Sequence, residues 1–132
     1  MILASGCFDG LHAGHVDYLE AAKVLCEHEE VLVVAVAPDA YIRDAKARQP
    51  YWTQAERQRV VAALTVVDAA LPQIYPTPAS MIRDLKPRIF VKGMDWQDRL
   101  PEEVTLACHR TGTVIAFVQT PGTHTSDAHD HA

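Results

Sequence analysis

The run Val31-Leu32-Val33-Val34-Ala35-Val36-Ala37 constrains the fold of this chain more than any other stretch. A strand made from it has no polar face to show to water, so both of its faces must be covered. That is the pattern of a central strand in a parallel sheet with helices packed on either side. Ile2-Leu3-Ala4, Ile89-Phe90-Val91 and Val114–Val118 carry the same pattern, and Val66-Val67 a weaker version of it. The segments between them read as helices. After the first strand, Val16, Leu19, Ala22 and Leu25 form an apolar face. Thr53-Gln54-Ala55-Glu56 is a capping box that opens a second helix, with Val60, Val61 and Leu64 on its buried side. Thr77-Pro78 supplies a cap and a proline at the first helical position of a third, with Met81, Ile82 and Leu85 turned inward. Pro101-Glu102-Glu103 starts a fourth, and Gly112 is its stop. Five strands separated by four helices make an α/β fold, a doubly wound parallel five-stranded sheet.

At 132 residues the chain is expected to form one domain, residues 1–126, followed by a short polar tail, 127–132. A formal charge of −5 argues against general nucleic-acid binding, which brings a basic excess. No apolar run reaches the ~20 residues that cross a bilayer, and the start lacks a signal peptide, so no membrane contact and a cytoplasmic location are expected. Cys7, Cys26 and Cys108 are odd in number and lack C-x-x-C spacing, which suggests reduced thiols. In a doubly wound sheet ligands bind beyond the carboxyl ends of the strands, where strand order reverses. The segments Gly6–His15, Lys92–Trp96 and Gln119–Ser126 follow the first, fourth and fifth strands and are expected to converge there.

Gly6-Cys7-Phe8-Asp9-Gly10-Leu11-His12-Ala13-Gly14-His15 lies where the first strand ends and the first helix begins. Such a junction attracts anions through unpaired amides and the positive end of the helix dipole. His12 and His15 share a face of the first turn, and Gly14 lets a phosphate approach the backbone. An isolated pair of histidines here would be read as cap residues. The full motif instead resembles the signature of the HxGH nucleotidyltransferases, specifically the cytidylyltransferase-like group, whose fold is Rossmann-like with the nucleotide at the C-terminal strand ends. Further landmarks follow in order. Lys46 stands in the basic loop Arg43–Arg48 after strand two, and Arg57 follows Glu56 at the start of the second helix. Val91-Lys92-Gly93-Met94-Asp95-Trp96 is similar to the family's Lys-Gly-x-Asp-Trp/Tyr segment, and Pro121–Ser126 to its Gly-x-Ser-Thr-Ser/Thr loop.

The resemblance implies transfer of a nucleoside monophosphate from an NTP, bound with Mg²⁺, to a phosphate monoester, releasing pyrophosphate. The acceptor is already an anion at neutral pH, so no general base is required. Catalysis then rests on positioning and charge neutralisation. His12, His15, Lys46 and Arg57 are the implied catalytic contacts to the phosphates. Cys7, Phe8, Asp9, Gly14, Lys92, Gly93, Asp95, Trp96, Thr125 and Ser126 are the implied nucleotide-binding positions. Cys7 on its own reads as a small buried residue, and Trp96 as a packed aromatic as readily as a ligand contact.

Three departures stand out: His124 replaces the usual Ser of the last loop, the chain ends six residues after Ser126, and Thr65 occupies a position where the glycerol-phosphate branch has Arg. The tail His124, Asp127, His129 and His131 has ligand atoms for a metal, but loose terminal clusters chelate adventitiously, so no protein metal site is expected. Ala62–Asp68, Leu85-Lys86-Pro87 and Val91–Gly93 resemble the heptose 1-phosphate adenylyltransferases, whereas Asp95-Trp96 resembles the cytidylyltransferases. The expected reaction is adenylyl transfer from ATP to a heptose-type sugar phosphate. The alternatives are CTP-dependent transfer to glycerol 3-phosphate or another polyol phosphate, a flavin-adenylating relative, and a nucleotide-binding domain without catalysis. Relatives of this size imply a homodimer.

Overall fold

The Val31–Ala37 run becomes β2 (Leu32–Val36), every residue of which is buried. In the computed structural model, which describes residues 1–119, β2 lies between two parallel neighbours in a five-stranded sheet. The other strands are β1 (Ile2–Gly6), β3 (Ala69–Pro72), β4 (Ile89–Gly93) and β5 (Val114–Val118). Their order is β3-β2-β1-β4-β5, all parallel, the doubly wound arrangement with its reversal between β1 and β4. Side chains alternate between two cores. Ile2, Ala4, Val34, Val36 and Val91 pack against α1 (Ala13–Val24) and α3 (Gln54–Ala62). Leu3, Val33, Ala35 and Phe90 pack against α4 (Ala79–Leu85) and α5 (Glu102–Thr111). Full burial of one such aliphatic side chain is worth roughly 1.5–3 kcal/mol.

Several sequence expectations need correction. The third strand is Ala69–Pro72 rather than Val66-Val67. Val67 is buried in the core of the preceding turn, and the ladder begins where the Asp68 amide donates to Leu32 O. Ala-Ala-Leu-Pro is poor strand sequence, but β3 is an edge and pairs only with β2, so Pro72 at its end removes no needed donor. The basic stretch after β2 is a helix, α2 (Asp39–Lys46), whose one buried residue, Ile42, is too little apolar pattern to announce it.

The capping box at Thr53 and Glu56 forms as expected. Its helix is rotated from the expected setting: Val61 is buried and Val60 is half exposed, because the inward stripe is Arg57 and Val61. Pro78 is the N-cap of α4 rather than its first residue. Gly112 ends α5 at φ +71, a left-handed setting in which its N–H reaches Cys108 O and His109 O. Thr125, Ser126, His124 and the tail 127–132 lie outside the described residues.

Candidate functional site

The site begins with a mismatch in strand length. β1 pairs with β4 only from Ile2 to Ala4, yet continues beside β2 to Gly6, while β4 continues beside β5 to Gly93. A cleft therefore opens between Ser5 and Lys92, and its backbone groups need other partners. Tyr18, on α1, supplies one: its hydroxyl accepts from Ser5 N at 3.2 Å and donates to Val91 O at 2.5 Å. Lys92 Nζ supplies the other, donating to Ser5 O at 3.0 Å and Oγ at 3.4 Å. Burial drives the Tyr18 phenol well above its ordinary range. It pushes the Lys92 ammonium down to about 8; Lys46 adds to that lowering while Cys7 and Asp95 oppose it.

At the mouth of the cleft the chain turns from β1 into α1. Phe8 takes a left-handed φ of +53, uncommon for a residue with a side chain, and is buried with its ring edge-on to His15 at 5.3 Å. His12 is the N-cap of α1, and its Nδ1 accepts from Gly14 N at 3.0 Å. Three residues on, His15 Nδ1 accepts from His12 N at 3.2 Å. The two histidines thus form a capping box of the kind usually made by Ser/Thr and Glu/Gln. Their rings lie 4.0 Å apart between centroids. Because both Nδ1 atoms accept, each neutral ring carries its proton on Nε2 and donates there. The cap reading and the phosphate reading of this pair are therefore compatible. The first turn of α1 carries no acidic residue to offset the positive end of its dipole.

The neighbouring residues divide into those that meet the cleft and those that build it. Lys46, the last residue of α2, lies near enough to Cys7 and Lys92 to influence both electrostatically. A Cβ at Gly93 would stand 2.7 Å from Asp95 Oδ1, the end of an exposed side chain that can turn aside. The next three residues form a 3-10 turn, Met94–Trp96, and the Trp96 ring lies against Lys92 Nζ at 4.7 Å and Arg99 Cζ at 4.9 Å. Cys7 is buried and burial pushes its thiol up, so its side chain is an inert core group.

Arg57, expected at the phosphates, and Asp9, expected among the nucleotide-binding positions, are both engaged within the protein. Arg57 is 1% exposed. Its guanidinium donates to Trp52 O, Cys7 O, Ala37 O and Asp39 Oδ1 at 2.7–3.0 Å, which engages four of its five N–H groups. It ties the ends of β1 and β2 to α3. Asp9 accepts from Arg48 Nη1 and from the amides of Tyr51 and Trp52. Burial would raise its carboxyl, but those three donors outweigh it and hold it below the usual range. Asp39, Arg48, Tyr18 and Ser5 were not anticipated as site residues. Only Tyr18 left a signal, standing three residues after His15 on the inward face of α1.

A family model described as cytidylyltransferase-like matches residues 3–128. Among curated proteins, the Bifunctional protein HldE of Halorhodospira halophila is 44% identical over 105 residues, 79% of this chain and 21% of that protein. The Coxiella burnetii protein of the same name is 42% identical over 98 residues, 74% of this chain and 20% of its own. That of Nitrosococcus oceani is 35% identical over 131 residues, 98% of this chain and 27% of its own. The chain thus spans about a fifth to a quarter of these relatives' length. A crystal structure of a lipopolysaccharide core biosynthesis protein from Thermoplasma volcanium superposes with a TM-score of 0.73 at 27% identity, covering 93% of this chain and 97% of the other.

Proposed function

The chain belongs to the cytidylyltransferase-like family, and from that premise we propose that it transfers the adenylyl group of ATP to the phosphate of a heptose-type sugar phosphate. A phosphate oxygen of the acceptor attacks the α-phosphorus, the bond from that phosphorus to the bridging oxygen breaks, and pyrophosphate leaves with the bonding electrons. The observation that carries this reading is the histidine capping box at the mouth of the β1/β4 cleft. It fixes two Nε2–H donors at the positive end of a helix with no carboxylate in the first turn. The donors are held in place by the fold itself, so they need no reorganisation when charge develops on the phosphates. Lys46, near enough to Cys7 and Lys92 to act on both electrostatically, adds a cation.

Mg²⁺ fits as a companion of the triphosphate. Among the described residues no group of three His, Cys, Asp or Glu side chains could hold a metal, and Asp9 is taken up by Arg48 and two amides. The ion would be held by nucleotide oxygens and would neutralise charge on the leaving pyrophosphate. The same reading takes the enzyme as a cytoplasmic homodimer that binds neither nucleic acid nor membrane. No helix among the described residues is long and apolar enough to cross a bilayer.

The test is pyrophosphate release with Mg²⁺ and each pairing of ATP or CTP with heptose 1-phosphate or glycerol 3-phosphate. Turnover with ATP and heptose 1-phosphate is expected. Turnover confined to CTP and glycerol 3-phosphate would transfer the assignment to the cytidylyl reading. NTP binding with no turnover in any pairing would make the chain a nucleotide-binding domain.

A further inference from the structure

Behind Lys92 the cleft continues into a cavity of about 50 Å³ on the α4/α5 side of the sheet. Its polar boundary includes Ser5, Gln73, Lys92, Trp96 and Tyr41; Phe90, Leu100 and Val104 are among its apolar walls. One atom in this neighbourhood is anomalous. Trp96 Nε1 is buried from solvent and has no hydrogen-bond partner among the described residues, although an indole N–H can only donate. The tryptophan is also held firmly, with its ring against Lys92 Nζ at 4.7 Å and Arg99 Cζ at 4.9 Å. A donor left unmatched beside this cavity points to an acceptor atom that arrives with a ligand.

We propose that this cavity receives the end of the acceptor remote from its phosphate, and that Trp96 Nε1–H selects an uncharged hydroxyl there; this rests on the sugar-phosphate reading given above. An uncharged group suits the space better than a second phosphate. The Lys92 ammonium is already committed to Ser5 O, Ser5 Oγ and the indole face, so it has little left to compensate a dianion stripped of water. The apolar walls offer it nothing, and the volume suits a group the size of a hydroxymethyl, a few waters at most. Trp96 becomes a specificity residue for the acceptor rather than for the nucleotide. The histidine box lies at the start of α1, across the sheet from the cavity on the α4/α5 face, so the two substrates approach from different sides of the sheet's crest.

The experiment uses the whole chain with Mg·ATP and two acceptors, heptose 1-phosphate and the hexose 1-phosphate of the same ring configuration that lacks the terminal hydroxymethyl group. Wild type is expected to prefer the heptose. Trp96→Phe keeps the aromatic body and removes the donor. It is expected to raise the heptose phosphate KM about tenfold, leave the ATP KM in place and erase most of the preference. Val104→Leu narrows the cavity from its apolar wall, and the same rise confined to the acceptor KM is expected even if Trp96→Phe folds poorly. A rise confined to the ATP KM, or unchanged constants and preference in both variants, would overturn the proposal. No wild-type turnover with either sugar phosphate would instead overturn the functional reading, and this inference with it.

Discussion

The two ends of the sheet handle charge in opposite ways. At the amino ends of the strands, ions pair with ions at the surface: Arg88 with Glu27 and Glu30, the terminal amine with Glu30, Lys23 with Asp68. At the carboxyl ends, ions are buried and pair largely with backbone. Arg57 holds three carbonyls, Lys92 holds Ser5 O, and Asp9 holds two amides beside its one ionic partner, Arg48. An exposed pair screens two charges that water would solvate anyway. A buried ion bonded to backbone fixes where a loop runs, and its removal leaves several polar groups stranded. The crest of the sheet, where the loops must be placed accurately for chemistry, is built by the second method.

The contrast can be broken at its strongest point first. Arg57→Met would strand Cys7 O, Ala37 O, Trp52 O and the Asp39 carboxylate. A loss of about 3–5 kcal/mol in urea-unfolding stability is expected. Arg57→Lys is expected to recover only part of it, because an ammonium cannot reproduce the planar fork. If the methionine variant keeps wild-type stability, the buried side of the comparison fails.

Next in size is His15→Ala, which removes one proposed phosphate donor together with the cap on His12 N. A fall of about 10²–10³ in kcat for pyrophosphate release is expected. An unchanged rate would dissociate the histidine box from the reaction.

Lys92 sharpens the comparison through pH. Its pKa is lowered to about 8 from 10.5, so between those values the unfolded chain binds more protons than the folded one. Stability attributable to this residue must therefore rise with pH from about 8 toward 10.5. Denaturation midpoints of wild type and Lys92→Met, measured across that window, are expected to differ by a margin that moves in favour of the wild type as pH rises. A constant margin would contradict the burial that lowers the Lys92 pKa. The smallest effect belongs to the opposite end of the sheet. Lys23→Met breaks a pair whose side chains are 34% and 39% exposed, and is expected to cost no more than about 1 kcal/mol.

The fold was legible because its signal is carried by apolar residues whose spacing has one physical meaning. An uninterrupted run such as Val31–Ala37 cannot face water on either side, and the caps at Thr53 and Gly112 mark local geometry. The misreadings fall where the decisive interaction is long-range. Ala69–Pro72 is a strand only because β2 offers it a ladder. Arg57 reads as a surface or substrate-facing cation until the carbonyls at the ends of β1 and β2 are brought to it. Asp9 presents the same problem, since its partners lie 39 to 43 residues further along the chain. The histidine pair was legible as a possible cap from its place before α1, but not which ring nitrogen meets which amide, because that depends on side-chain geometry.

The histidine box has a consequence for how the site can be observed. The amides of His12 and Gly14 are protected from solvent exchange only while the two Nδ1 lone pairs accept them. Anything that occupies those lone pairs, whether a proton, an alkyl group or a soft metal, frees both amides and frays the first turn of α1. The exchange rates of two backbone protons therefore report the chemical state of the two imidazoles directly. The protein carries its own gauge of the state of these two rings.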